Sequence, residues 1–390
     1  MAQTQKPKFT PERRGLGLII AAAFALVLLL LFLVAAMPRS LFLSAKAEEA
    51  DFLSLNTEEA FRLEEGVAVQ MYPFNSDHLV KVTNELVSYV SFKGSEEQAV
   101  QINCPTPLVT INGDYILVSD LGGYRFYLLD GQGLVLQGKT SAPIRSAAVS
   151  SSGKTAFIME ELHTKGVLRV LDEKGKHMLD WRVRDRLRSG YVINMAFSQD
   201  NTAIDVSLLN TDGASLQSIL TRMDLTNATI ASSIVQPDPT AYPLLFSAAD
   251  SRVLMVSSES VVQNRGAGAD AWLNFYRIQE VAVDAAGMAL LASPQPGEVP
   301  SLYFFPFDDS GNANQGSAST GTQLGQGAFA LEASYGHIAV ASGDGVYILR
   351  QNNLSEPNYF ACGSPVIRQK FLSESHLLII CRDSVQIIRV

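Results

Sequence analysis

Four arginines at alternate positions form the most distinctive charged segment of this sequence, Trp181-Arg182-Val183-Arg184-Asp185-Arg186-Leu187-Arg188. Successive side chains of a strand point to opposite faces, so an outer strand here would carry all four guanidinium groups on one face. Guanidinium groups pair bidentately with carboxylates and phosphates. The segment therefore predicts a site for an anionic partner: a wall polymer, a phospholipid surface or an acidic protein. The alternative is that these charges only protect an exposed strand from pairing with other chains.

Other reactive side chains lack the partners that catalysis or metal binding needs. His78, His337 and His376 share one position of a repeat described below, where other copies have Tyr, Thr, Arg or Met, so they are expected to flank turns. No Gly-x-Ser-x-Gly nucleophile elbow is found, and Ser342-Gly343-Asp344-Gly345 is typical of a tight turn between strands. The sequence predicts no catalytic residue, no cofactor and no metal site.

The three cysteines, Cys104, Cys362 and Cys381, are too far apart for a disulfide scaffold or a Cys-x-x-Cys motif. Two of them lie in apolar runs, which favours buried free thiols, with a Cys362–Cys381 disulfide as the alternative. The net charge of −9 argues against nucleic acid as a partner, because an acidic protein repels phosphate backbones.

One segment near the N-terminus is long enough to cross a bilayer. Residues 15–37 form 23 consecutive uncharged, mostly apolar residues, and about 20 suffice for a spanning helix. Basic residues dominate residues 1–14, which predicts a cytoplasmic N-terminal tail and an extracytoplasmic C-terminal region. Residues 38–59 are then a stalk. The alternative is a cleaved signal peptide ending at Ala45-Lys46-Ala47, but the apolar run is longer than signal peptides have.

The most informative feature is a repeat of short apolar strands. Eight copies are found when each is aligned on the residue that opens its second strand: His78, Tyr115, Thr155, Thr202, Arg252, Met288, His337 and His376. The mean spacing of about 43 residues matches one β-propeller blade. Third strands are predicted at RFYLLD, VLRVLD, LNFYRI, LYFFPF, VYILR and VQIIRV. The weakest copy is around residues 263–300, so seven blades are the alternative to eight.

The final copy ends after its third strand, at Val390, so another segment must supply its outer strand. The apolar segment around Ala60-Phe61-Arg62-Leu63 is the expected donor, because its pairing there would close the ring and leave no long open edge. Residues 310–327 are rich in Gly, Ser, Asn and Gln and are predicted to be a disordered insertion between two strands of one blade.

The segment from Asp120 to Asp130, DLGGYRFYLLD, resembles the blade motifs of bacterial quinoprotein-like and YVTN-type, WD40-like β-propellers. The whole arrangement also resembles uncharacterised membrane-anchored propellers of Gram-positive bacteria. This resemblance covers roughly residues 60–390 and implies the fold more strongly than a function. Neither Trp181 nor Trp272 lies in a motif similar to the quinone-cofactor site of such enzymes.

Together these features predict an all-β chain with an eight-bladed propeller of four-stranded antiparallel sheets at residues 60–390, preceded by one transmembrane helix. The expected function is a membrane-tethered extracytoplasmic module that binds proteins or envelope polymers. The alternative is an enzyme, a glycan hydrolase or lyase, that uses the central funnel. Paired carboxylates or clustered histidines in that funnel would favour the enzyme.

Overall fold

The computed structural model describes residues 57–184, 189–248, 252–265, 268–307, 321–324 and 327–390, without the side chains of residues 57–59 and 265–272. These residues form a β-propeller of eight four-stranded antiparallel sheets. The eight-bladed prediction is confirmed. The predicted span, residues 15–37, lies outside the described residues, and none of the described helices is long and apolar enough to cross a membrane.

The strands of the first four blades are as follows. Blade 1 contains β2 (Met71–Pro73), β3 (His78–Val82), β4 (Leu86–Ser91) and β5 (Glu96–Gln101). Blade 2 contains β6 (Pro107–Asn112), β7 (Tyr115–Asp120), β8 (Arg125–Asp130) and β9 (Gly133–Lys139). Blade 3 contains β10 (Ile144–Val149), β11 (Thr155–Met159), β12 (Thr164–Leu171) and β13 (His177–Arg184). Blade 4 contains β14 (Tyr191–Phe197), β15 (Ala203–Asn210), β16 (Gln217–Asp224) and β17 (Thr229–Val235).

The remaining four blades have the same order. Blade 5 contains β18 (Leu244–Ser247), β19 (Val253–Val256), β20 (Ser260–Arg265) and β21 (Gly268–Asn274). Blade 6 contains β22 (Arg277–Val283), β23 (Gly287–Ser293), β24 (Ser301–Pro306) and β25 (Thr322–Gln323). Blade 7 contains β26 (Ala328–Ser334), β27 (His337–Ser342), β28 (Gly345–Arg350) and β29 (Asn353–Ala361). Blade 8 contains β30 (Val366–Ser373), β31 (His376–Cys381), β32 (Ser384–Arg389) and, from the start of the domain, β1 (Thr57–Arg62).

Blade 8 closes the ring by pairing the two ends of the domain. Strand β1 lies antiparallel to β32, with Phe61 opposite Val385 and Arg62 opposite Ser384. The predicted donor segment is therefore confirmed. Because β1 begins at Thr57, the propeller starts three residues before the expected boundary. A single turn of 3-10 helix, Ala68–Gln70, connects β1 to blade 1.

The first strand of each blade lies nearest the axis, since first strands of neighbouring blades contact one another around the ring, as β6 does with β10 and β26 with β30. The described residues form eight apolar clusters, and each joins two adjacent blades. Second strands are covered on both faces, which is why β11 and β23 are buried along their whole length. Continuous apolar runs are expected for such strands.

Two sequence expectations about blades 5 and 6 need revision. LNFYRI is wrong as a third strand: it spans the end of β21 and the start of β22, and the third strand of blade 5 is β20. The insertion at residues 310–327 does lie between two strands of one blade, β24 and β25, but its residues Thr322–Gln323 themselves form the short outer strand. Residues 308–320 lie outside the described residues.

Candidate binding surfaces

Two of the four predicted binding arginines lie on the outer strand of blade 3. In β13, Arg182 and Arg184 are exposed, while Trp181 is half-buried and Val183 is buried, so the expected alternation holds for these residues. Arg186 and Arg188 fall in residues 185–188, outside the described residues. The structure therefore shows the first half of the predicted row and does not test its role.

Part of this positive charge is already paired within the blade. The Arg182 guanidinium lies 3.2 Å from a carboxylate oxygen of Glu161 and 3.3 Å from one of Asp180. Asp180 also pairs with Arg169 at 2.9 Å. Burial opposes ionisation of Asp180, but these guanidinium groups hold its pKa below the ordinary value. Within the described half of the row, Arg184 is thus the better candidate for an external anion.

The three histidines of the shared repeat position each contact a different kind of side chain. The His78 ring lies 2.9 Å from a carboxylate oxygen of Glu97, and His376 contacts the Ser375 hydroxyl at 2.9 Å. The ring of His337 packs on Phe371. In the described part of the chain, no three side chains of His, Cys, Asp or Glu are grouped to hold a metal ion.

The ends of the blades define two faces with different surfaces. The end that carries the loops between second and third strands and the connections between blades is called the upper face. The opposite end is called the lower face. Of the seventeen exposed large apolar side chains among the described residues, thirteen lie at the upper end. They are Val69, Leu86, Leu121, Tyr124, Leu162, Tyr191, Ile193, Leu216, Val235, Leu244, Tyr276, Val299 and Phe329. The most exposed, Leu162, is 87% accessible.

A pocket of about 260 Å³ opens on the upper face between blades 3 and 4. Lys165 lies in its wall, with its ammonium nitrogen 2.7 Å from an Asp212 carboxylate oxygen and 5.3 Å from the centre of the Tyr191 ring. Tyr191 and Ile193 supply an apolar wall. Because the charge of Lys165 is paired, this pocket offers mainly apolar contact area.

A second cavity, of about 480 Å³, lies on the axis side of the first strands and contains charged residues that the sequence analysis did not single out. Glu280 on β22, Glu332 on β26, and Arg368 and Lys370 on β30 line it. Burial raises the pKa of Glu332 to about 7, with Lys370 opposing the rise and Asp284 adding to it. Burial also raises the pKa of Glu280. One sequence signal existed, because Glu332 interrupts the apolar first strand β26.

Comparisons with known proteins place the chain by fold. A model described as a family of unknown function (DUF5711) matches residues 48–237, which include the first four blades. No curated protein sequence matches the chain. The structure is similar to BamB from Moraxella catarrhalis, with a TM-score of 0.55 and 13% identity over 86% of this chain and 100% of that one.

Two WD40 domains are similar as well. The C-terminal WD40 domain of Sif2 has a TM-score of 0.57 and 11% identity, covering 86% of this chain and 98% of that one. The WD40 domain of SCAP from fission yeast has a TM-score of 0.54 and 8% identity, covering 85% and 98%. At such identities the likeness shows a shared propeller fold.

Proposed function

We propose that this chain is a membrane-tethered extracytoplasmic propeller that binds a protein or an envelope polymer through its upper face. The observation that carries the proposal is the concentration of exposed large apolar side chains at that face. Apolar surface collected on one side of a soluble domain typically marks an interaction site. Aromatic residues such as Tyr124, Tyr191 and Tyr276 are also the types enriched at the centre of protein interfaces.

The tether rests on the sequence of residues 15–37, which is long and apolar enough to span a bilayer. Strand β1 starts at the lower end of blade 8, because Thr57 pairs with Ile388 near the lower end of β32. The chain therefore joins the propeller on the face opposite the apolar one. Resistance of the full chain to alkaline extraction from membranes, and labelling of propeller lysines in intact cells by a membrane-impermeant reagent, test the tether and its orientation.

A photo-crosslinking residue at Leu162 in the full-length chain tests the upper face, with the same residue at Ile230 as control. Ile230 is 53% exposed but lies on the outer strand β17, away from that face. We expect a specific adduct from position 162 that disappears when Tyr191 is changed to Asp and persists when Ile230 is changed to Asp. Equal adducts from both positions, or an adduct indifferent to Tyr191→Asp, would contradict the proposed surface.

The arginine row stays a proposed secondary contact for an anionic partner. Changing Arg182, Arg184, Arg186 and Arg188 to Ser should abolish salt-sensitive retention of the protein on an anionic polymer. Each guanidinium group would contribute an ionic contact that added salt weakens. The control variant removes the same number of positive charges from other exposed positions: it changes Lys93, Lys139, Lys174 and Lys176 to Ser. Unchanged retention of the arginine variant would remove this role.

A second candidate function is favoured by the two carboxylates in the axial cavity. Glycan hydrolysis generally uses a pair of Asp or Glu residues, one of them protonated near neutral pH. Glu332, with its pKa raised to about 7, has the protonation that a general acid needs. Release of reducing sugar ends from envelope glycans by the purified chain, lost in Glu332→Gln, would support the enzyme over the binding module.

A further inference from the structure

The axial cavity contains opposite charges that do not satisfy each other. Glu332 on β26 and Lys370 on β30 both line it, yet their charged groups are beyond ion-pair distance, and Glu332 accepts no hydrogen bond from any residue that the structure describes. Burial raises the pKa of Glu332 to about 7 and lowers that of Lys370. Each group therefore loses water without gaining a direct partner of opposite charge.

The neighbouring polar groups leave specific hydrogen-bonding capacity open. The Lys370 ammonium donates one bond to the Phe74 carbonyl oxygen at 2.9 Å, so two of its three N–H groups remain for another acceptor. The Gln369 amide nitrogen donates to the carbonyl oxygens of Ala330 and Ala339, but its buried Oε1 atom has no donor among the described residues. Buried polar atoms are normally paired.

Arg368 forms a fixed part of the wall rather than a free cation. Its Nη1 atom donates to the carbonyl oxygens of Val69 at 3.2 Å and Met71 at 3.1 Å, and its guanidinium lies 4.2 Å from the centre of the Tyr72 ring. The remaining walls are largely aliphatic, with Ile111, Leu331 and Ile367. The cavity thus presents two cationic side chains, of which Lys370 keeps N–H groups available, together with two carboxylates and an apolar surface.

We propose that this cavity binds a small zwitterion, a free α-amino acid with an aliphatic side chain. Its ammonium group would be held by Glu332, its carboxylate by Lys370, and its side chain by the aliphatic wall. A simple cation would leave Lys370 unpaired and repelled, and a simple anion would leave both glutamates unpaired. A ligand with both charges satisfies the two sides at once, and the volume of about 480 Å³ is ample for it.

Calorimetric titration of the full-length chain in detergent with three related ligands tests this assignment. L-Leucine has both charges, N-acetyl-L-leucine lacks the ammonium group and L-leucinamide lacks the carboxylate. We expect leucine to bind at least about ten-fold more tightly than either analogue, as the loss of one charge-assisted hydrogen bond implies. Equal binding of the three ligands, or no heat from leucine at millimolar concentration, would overturn the proposal.

Variants of the cavity residues test which side chains contact the ligand. Glu332→Gln and Lys370→Met should each weaken leucine binding at least about ten-fold. Glu356→Gln and Lys174→Met, made at exposed positions on β29 and in a lower-face loop, should leave it unchanged. Leucine affinity that is the same in Glu332→Gln as in Glu356→Gln would contradict the assignment. The comparison of the three ligands on the unaltered protein decides the matter even if a cavity variant fails to fold.

Discussion

Closure of the ring by β1 predicts that Phe61 stabilises the whole propeller. The Phe61 ring is half-buried between blades 8 and 1 and packs against an apolar cluster that includes Leu378 and Val385. Its fit is tight, because a Cβ atom added at Gly94 would lie 2.8 Å from the ring. Replacing a fully buried Phe by Ala costs about 3–5 kcal/mol. For this half-buried ring we expect Phe61→Ala to lower the free energy of unfolding by about 2 kcal/mol.

Urea unfolding followed by tryptophan fluorescence measures this cost, with Ile230→Ala as the matched control. Ile230 is a large apolar residue on an outer strand, like Phe61, but it is 53% exposed and its strand does not close the ring. Hydrogen exchange should also become faster in β32 than in β28, the third strand of blade 7, because only β32 depends on β1. A change below about 0.5 kcal/mol, or one no larger than that of Ile230→Ala, would refute closure as the source of stability.

Two further predictions concern buried titratable groups. Burial raises the pKa of Asp205 to about 7, with its partner guanidinium on Arg222 opposing the rise. Between about pH 4 and 7 the folded chain then holds a proton that the unfolded chain has released, so the free energy of unfolding falls as the pH rises, by up to about 1.4 kcal/mol per pH unit. Asp205→Asn should remove that contribution, and parallel pH profiles of the two proteins in urea unfolding would contradict it. Cys104, Cys362 and Cys381 are buried free thiols, so a thiol reagent should titrate none in the folded protein and three after denaturation without reductant; a count of one would instead show a disulfide.

The sequence located the second strands well because they are covered on both faces and read as uninterrupted apolar runs. Five of the eight alignment residues open their strands, as Tyr115 opens β7, and the other three precede or follow the opening by one residue, as Thr202 does for β15. The closing strand was also predictable, since a final copy with three strands requires a fourth from elsewhere. Both conclusions follow from the local pattern of apolar residues and from the number of strands in each copy, and both can be read from the sequence alone.

Blade 5 shows where local pattern fails. LNFYRI has the aromatic and β-branched character of a third strand, yet it crosses the connection between blades 5 and 6. Strands β21 and β22 belong to different sheets, and the two residues between them, Phe275 and Tyr276, are aromatic rather than typical turn residues. The aromatic and β-branched residues of this segment, Phe275, Tyr276 and Ile278, favour a strand. Only the pairing of each strand with its neighbours decides where one blade ends.

The axial cavity was beyond sequence reasoning for a different reason. Glu332 interrupts an apolar first strand, and Glu280 and Lys370 lie beside other polar residues on theirs. The three are separated by as many as ninety residues along the chain. A lone charge in a strand is ordinarily explained by a solvated edge. Their meeting depends on the ring order of blades 6, 7 and 8 and on which side chains the twist of each blade turns toward the axis. The same closure that Phe61 supports therefore also sets the position of Lys370 relative to the glutamates, because β30 belongs to the blade that β1 completes. A variant that loosens that blade should weaken the binding of any ligand in the cavity together with the fold, whereas Glu332→Gln leaves the pairing of β1 with β32 intact.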